Sequence, residues 1–258
     1  MINLKNTTFI IPVKLDTEDR IHNLNTCISY LTNHLETNII IWEEDDSPKV
    51  PEKLRPELLE KCKVIFNKQP KDFFHRTRIL NEMVKITETP VLINYDCDVL
   101  LEPENYEIGQ MTIMDGKFDV CYPYDGKMYD VHKKFFNGID EKNTLDGVNL
   151  NECDLMHPNS LGGCFFISTK KYLDSGMENE YFLSWGYEDN ERFARFKKLD
   201  YKVGRLPGPL YHMWHERGTD SNFSNPFIKN NERELQKIYG LQKNDLISYI
   251  STWPWLKK

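Results

Sequence analysis

The chain has 258 residues, 33 Lys and Arg against 40 Asp and Glu, and a net charge of −7. That balance excludes a nucleic-acid surface, which needs a basic stripe, and disfavours electrostatic attachment to anionic lipid except through a local patch. Six scattered cysteines with no Cys-x-x-Cys pair exclude a zinc ribbon and point to reduced, buried thiols in a cytoplasmic protein.

In chain order, the first residues run straight into a strand with no signal-peptide pattern, and no apolar run approaches the ~20 residues of a membrane span. Residues 7–13 predict a central strand ending at Pro12. Ile21, Leu24, Ile28, Leu31 and Leu35 recur at helical spacing and predict a helix over 20–35. Residues 38–42 and 63–67 read as further short strands, and 76–86 as a helix with Ile79, Leu80, Met83 and Ile86 on one face. A fourth strand follows Pro90. Strands alternating with helices predict an α/β fold with a mostly parallel central sheet of nucleotide-binding type. Residues 115–159, rich in Gly, Asp and Asn, predict loops and short antiparallel strands such as 118–122. Then come a strand over 161–168, a helix over 189–198, a strand over 202–206 and terminal helices over 230–239 and 242–250. With no linker or repeat, a single domain is expected over 1–258. Its parts are a nucleotide-binding half (1–101), an acceptor and metal half (102–218) and a helical tail (219–258).

Chemistry concentrates at four places. Asp96 and Asp98 end the apolar run that starts at Val91. Ligands of open α/β sheets bind where strands run out, and residues two apart on an extended chain point the same way. Two hard oxygen donors there suit Mg²⁺ or Mn²⁺ with a substrate's phosphates, although an isolated Asp-x-Asp can equally be a solvated turn. Gly162-Gly163 before a strand permits close approach of a ligand, or simply a tight turn. Trp185-Gly-Tyr-Glu-Asp-Asn-Glu191 opens a helix with three acids where capping needs one. An aromatic face beside carboxylates suits a sugar. His212 and His215 flank Trp214 after the Pro207-Gly208-Pro209 turn. Three apart, they can share a metal only if the chain turns there, and mixed imidazole and carboxylate ligation suits Mn²⁺ or another borderline ion.

In this order the Ile11-Pro12-Val13 strand, Arg76-Thr-Arg-Ile-Leu-Asn81, Asp96-Cys-Asp98, Gly162-Gly163, Trp185-Gly-Tyr-Glu-Asp189 and the histidine pair resemble the GT-A-fold glycosyltransferases. The resemblance is to the β-1,4-galactosyltransferase group and its bacterial polysaccharide-polymerase relatives, over about residues 8–215. It implies a GT-A fold and an inverting hexosyl transfer from a UDP-sugar (galactose, N-acetylgalactosamine or glucose) to a glycan or lipid-linked saccharide, with Mn²⁺ or Mg²⁺ as cofactor. By the same resemblance Asp98 and His215 hold the metal, with His212 where the family has Met, and Asp96 sits by the ribose and donor sugar. Asp189 is the base, with Glu188 beside it contacting donor or acceptor. Trp185 lines the acceptor side, Gly163 the donor side, and Pro12, Val13 and Arg78 the nucleotide. Tyr187 replaces the family's second Gly after Trp, a bulky group at the acceptor mouth.

Two other readings compete. A sugar-1-phosphate nucleotidyltransferase would carry a Gly-rich loop after the first strand, where this chain has Pro12-Val-Lys-Leu-Asp-Thr-Glu18. A non-catalytic carbohydrate-binding protein of the same fold has no reason to keep both acid pairs and both histidines. The Trp253-Pro-Trp255 tail could touch a membrane surface, but docking onto the domain is the preferred expectation.

Overall fold

The structure is a computed structural model that describes residues 1–68, 73–218, 222 and 224–257. Its strands are β1 (Ile2–Val13), β2 (Leu35–Asp45), β3 (Lys63–Lys68), β4 (Val91–Tyr95), β5 (Val99–Leu100), β6 (Val120–Tyr122), β7 (Met128–Val131), β8 (Asp154–His157), β9 (Cys164–Ser168), β10 (Val203–Arg205) and β11 (Leu210–Met213). The helices are α1 (Glu18–His34), α2 (Val50–Lys53), α3 (Pro56–Leu59), α4 (Arg76–Lys85), α5 (Pro103–Met114), α6 (Phe136–Lys142), α7 (Thr169–Asp174), α8 (Glu188–Lys198), α9 (Ile228–Gly240) and α10 (Lys243–Ser251).

Phe9, Ile10 and Ile11 of β1 and all of β4 are buried, as strands covered on both faces must be. They lie at the centre of a seven-stranded sheet of order β10-β6-β9-β4-β1-β2-β3. Every neighbour pair in it is parallel except those of β9, which runs antiparallel to both β4 and β6. A smaller sheet, β5-β11-β7-β8, is antiparallel but for the β11–β7 pair. The expected α/β class with a mostly parallel sheet and a small antiparallel element is what the chain forms.

Some local expectations are corrected. β1 and β2 run for 12 and 11 residues and are not short strands. The middle segment contains the helix α6, ended by Asn143 in the left-handed conformation (φ 49°). The helix α5 had no sequence signal, because apolar residues surround it: Tyr106 and Ile113 face the core while Ile108, Met111 and Met114 are exposed. Its Gly109 costs helix propensity but lets the helix reach the sheet, since a Cβ there would sit 2.6 Å from the Phe166 ring.

The C-terminal segment docks: Trp253 is fully buried and Trp255 nearly so, against Gly176 and α10. Both indoles are thus packed against the domain, as the docking expectation has it; Lys258 lies outside the described residues. Among the described residues no helix is long and apolar enough to cross a bilayer. All six cysteines are free, four of them buried.

Candidate active site

β4 ends at Tyr95 because the chain turns through Asp96-Cys97-Asp98 into β5. The turn is pinned on both sides. Asp96 N–H donates to the Gly163 carbonyl (2.9 Å), and Met213 N–H donates to the Asp98 carbonyl (2.7 Å). The second bond brings the end of β11 beside Asp98. β11 stops at Met213, and the departing chain swings His215 back towards His212, their rings 5.3 Å apart. His215 Nε2 lies 3.1 Å and His212 Nε2 3.9 Å from Asp98 Oδ2. Ligand atoms of these three buried residues fall within 4.8 Å of one another.

Each imidazole is oriented from behind. His215 Nδ1 donates to the Glu216 carbonyl and His212 Nδ1 to Asp130 Oδ1, both at 2.8 Å. Since those acceptors take a proton from Nδ1, Nε2 of each ring is the nitrogen that faces Asp98 and that holds either a second proton or a cation. Burial alone would raise the Asp98 carboxyl, but the His212 and His215 charges outweigh it and hold the group well below the usual carboxylate range. Burial would lower His215, yet its hydrogen bond to Asp98 and that carboxylate's charge push it up.

The opposite wall is the start of α8. Tyr187 adopts the left-handed conformation (φ 71°) at its N-cap, and Glu188 Oε2 accepts from Gly186 N–H at 2.7 Å. Glu191, third acid of the cluster, is buried in an ion pair with Arg195 (2.8 Å) and is structural. Asp189 is the acid that faces out. One oxygen pairs with Arg192, and the other would be 2.6 Å from a Cβ at Gly162, so a side chain at 162 would displace that oxygen. Gly163 (φ +80°) is equally constrained, with Leu210 Cδ2 2.4 Å from where its Cβ would lie.

Between these walls is a cleft of about 210 Å³ lined by Asp96, Asp98, His212, His215, Asp189, Trp185, Gly162, Gly163 and Pro12, together with Arg20, Arg76, His157 and Arg217. It adjoins a second hollow of about 240 Å³ lined by Trp185, Tyr187, Glu188, Asp189, Asn190, Gly162 and His157. Asp189, Trp185 and Gly162 belong to both. A larger hollow of about 340 Å³, between Thr8, Asn38, Lys63 and Thr89, lies near the N-terminal ends of the strands. With no imidazole and one carboxylate (Glu88), it lacks the chemistry of the cleft.

Of the residues singled out in the sequence, Val13 and Arg78 do not line the cleft. Val13 is buried, and Arg78 pairs with Glu44. Arg76, two residues earlier, reaches in instead: its Nη2 contacts Asp96 Oδ1 (2.5 Å) and Asn94 Oδ1 (3.2 Å), while its buried Nη1 has no hydrogen-bond partner among the described residues. Burial raises the Asp96 carboxyl and the Asp98 charge adds to this, with Arg76 opposing. Arg20, Asp130 and His157 were also missed, since each reaches the site only through tertiary contact; Arg192 was missed although its i,i+3 spacing from Asp189 on one helix was visible.

Residues 145–217 match the galactosyltransferase family. The matching family model is described as the N-terminal domain of galactosyltransferase, and it spans just over a quarter of the chain. The galactosyltransferase-like segment holds the glycine pair, Trp185, Glu188, Asp189 and both histidines, and it omits Asp96 and Asp98. No curated protein matches. Among solved structures, the catalytic domain of Drosophila beta1,4galactosyltransferase 7 in complex with xylobiose is similar at 13% identity and TM-score 0.47, covering 80% of this chain and 65% of that one. A mutant of that enzyme in complex with manganese, UDP-Gal and xylobiose gives the same values. The chain thus spans less than two thirds, 65%, of the length of those structures.

Within the galactosyltransferase-like segment, Glu188 titrates unusually. Burial, reinforced by the Asp189 charge, pushes it up to about 7, against about 4.3 for an unperturbed Glu. A raised carboxyl stabilises the fold fully below the unfolded value and loses that contribution as pH rises through the folded one. Glu188→Gln keeps an acceptor for Gly186 N–H without the charge. Its melting temperature should match wild type at pH 4 and exceed it at pH 8, by an amount corresponding to about 3 kcal/mol. Equal melting curves at pH 8 would show that Glu188 carries no buried charge.

Proposed function

We propose that this protein is a metal-dependent, inverting glycosyltransferase that moves a hexose from a UDP-sugar to a hydroxyl of a glycan or lipid-linked saccharide. The observation that carries the reading is Asp189, the one acid shared by two adjoining hollows, one of which contains the Asp98, His212 and His215 cluster. The match of residues 145–217 to the galactosyltransferase family supports it and makes galactose the first donor to test.

In this reading the first hollow takes the donor and the second the acceptor. Arg20, Arg76 and Arg217 give the donor side positive charge for a diphosphate, and Nη1 of Arg76, which has no hydrogen-bond partner among the described residues, is a donor for it. Trp185 offers an apolar face to a sugar ring at the junction. Asp189 takes the proton of the acceptor hydroxyl as its oxygen bonds to the anomeric carbon and the bond from that carbon to the diphosphate breaks. Attack from the face opposite the leaving UDP inverts the centre, and no covalent enzyme intermediate forms. One carboxylate and two imidazoles with Nε2 facing inward fit a borderline divalent ion. Asp98, His212 and His215 would hold Mn²⁺ or Mg²⁺, which supplies charge neutralisation at the leaving diphosphate.

The test is UDP release from UDP-galactose, UDP-N-acetylgalactosamine and UDP-glucose with Mn²⁺ or with chelator. One donor should be hydrolysed slowly, and only with the metal. Absence of turnover with all three, together with absence of metal-dependent UDP binding, would sink the proposal.

A further inference from the structure

Asp189 does not stand alone. Arg192, one helical turn on along α8, is 1% exposed and divides its guanidinium between two carboxylates. Nη1 donates to both oxygens of the fully buried Glu178 (3.0 and 2.9 Å), and Nη2 donates to Asp189 Oδ1. The guanidinium lies over the Phe165 ring, 4.4 Å from its centroid. Glu178 is fixed in turn. The Tyr172 hydroxyl donates to it, its N–H donates to Asn81 Oδ1 (2.8 Å), and Asn81 Nδ2 donates back to its carbonyl (3.0 Å).

We infer that Arg192 is a positioning residue for the base: it immobilises Asp189 Oδ1 and thereby presents Oδ2 at the junction of the two hollows. This deepens the functional proposal above and rests on Asp189 as the base. The alternative is an ordinary i,i+3 ion pair that supports the helix, and on a surface such a pair does little. Three observations separate Arg192 from that case. Glu178 alone already neutralises the buried guanidinium, so the bond to Asp189 is not needed to pay for its burial. The Asp189 side chain is 29% exposed, whereas Glu178 is buried, so the arginine links a buried anchor to the acid that faces the cleft. The oxygen that Arg192 does not bind lies against Gly162, whose backbone lines both hollows. A carboxylate free to rotate about its Cβ–Cγ bond would offer its lone pair to an acceptor hydroxyl only part of the time. Misplacement by about 1 Å can cost ~10²-fold in rate.

Removing Arg192 alone would strand a buried Glu178 charge. The test therefore uses Glu178→Gln/Arg192→Met, which removes both charges, and Arg192→Lys, which keeps a charge opposite Glu178 but lacks the fork needed to hold two carboxylates. UDP-galactose hydrolysis with Mn²⁺ is measured, water taking the place of the acceptor hydroxyl, alongside UDP affinity and melting temperature. The double variant should lose about 10²-fold in kcat, with KM and UDP affinity within about twofold of wild type, and Arg192→Lys should fall between. Either variant folding with wild-type kcat overturns the inference. Asp189→Asn separates the two failures. If that variant loses kcat while the double variant keeps it, only the positioning role falls. If Asp189→Asn keeps kcat, the base assignment falls and the positioning role with it.

Discussion

Asp189→Asn is expected to lower kcat by about 10²–10⁴-fold, the usual contribution of a positioned general base, with UDP-sugar affinity nearly unchanged. The substitution suits the site. An amide oxygen can still accept from Arg192 Nη2, and Arg192 retains Glu178 as its counter-charge, so no buried charge is stranded. The lost property is the ability to take a proton at the second oxygen, next to Gly162. Asp189 is not among the residues of the Asp98, His212 and His215 cluster, so metal-dependent UDP binding should survive. The diagnostic result is a kcat loss with KM for the donor held. A rise in KM at unchanged kcat would make Asp189 a donor-binding residue and vacate the position of base. Glu188 is not placed to substitute, because its Oε2 accepts from Gly186 N–H and it lines only the second hollow, away from the cluster.

What could be read from the sequence follows from how local each cause is. Val91-Leu92-Ile93 is so apolar that it must be buried, and the turn that follows had to bring Asp96 and Asp98 to the end of the sheet. The three acids at the start of α8 were visible as a group, but their division of labour was not. Glu191 is held by Arg195 and Glu188 by Gly186 N–H, and only Asp189 turns outwards. The histidine spacing demanded a turn, and β11 does stop after Met213. Asp130 could not be found this way. It meets His212 across 82 residues, through the register that pairs β11 with β7. The choice between Arg76 and Arg78 was likewise invisible, because two positions on one helix can serve a cleft or a flanking pair depending on what packs beside them. Here Asn94 and Asp96 meet Arg76, while Glu44 takes Arg78. The helix α5 was hidden because its outer face carries Ile108, Met111 and Met114, which erase the contrast between faces on which periodicity depends.

The same register makes a graded prediction for metal affinity. Asp130→Asn should weaken Mn²⁺ binding by about 10–100-fold, the usual cost of losing an outer partner of a ligating histidine. An amide can present either its oxygen or its NH₂ group to His212 Nδ1, so the proton is no longer confined to that nitrogen and Nε2 is no longer reserved for the cation. Asp98→Ala should cost more, because it removes the one carboxylate of the three-residue cluster and the anion that faces both imidazoles. Both effects can be read by calorimetric titration of Mn²⁺ into the protein with UDP present, which needs no turnover. A loss at Asp98 with none at Asp130 would mean that His212 is oriented by packing alone. Equal affinity for wild type and Asp98→Ala would place the cation elsewhere and remove the basis for a metal centre at this turn. The ordering of the two losses therefore tests whether β7 and β11 are paired so that one strand supplies the ligand and the other holds it in place.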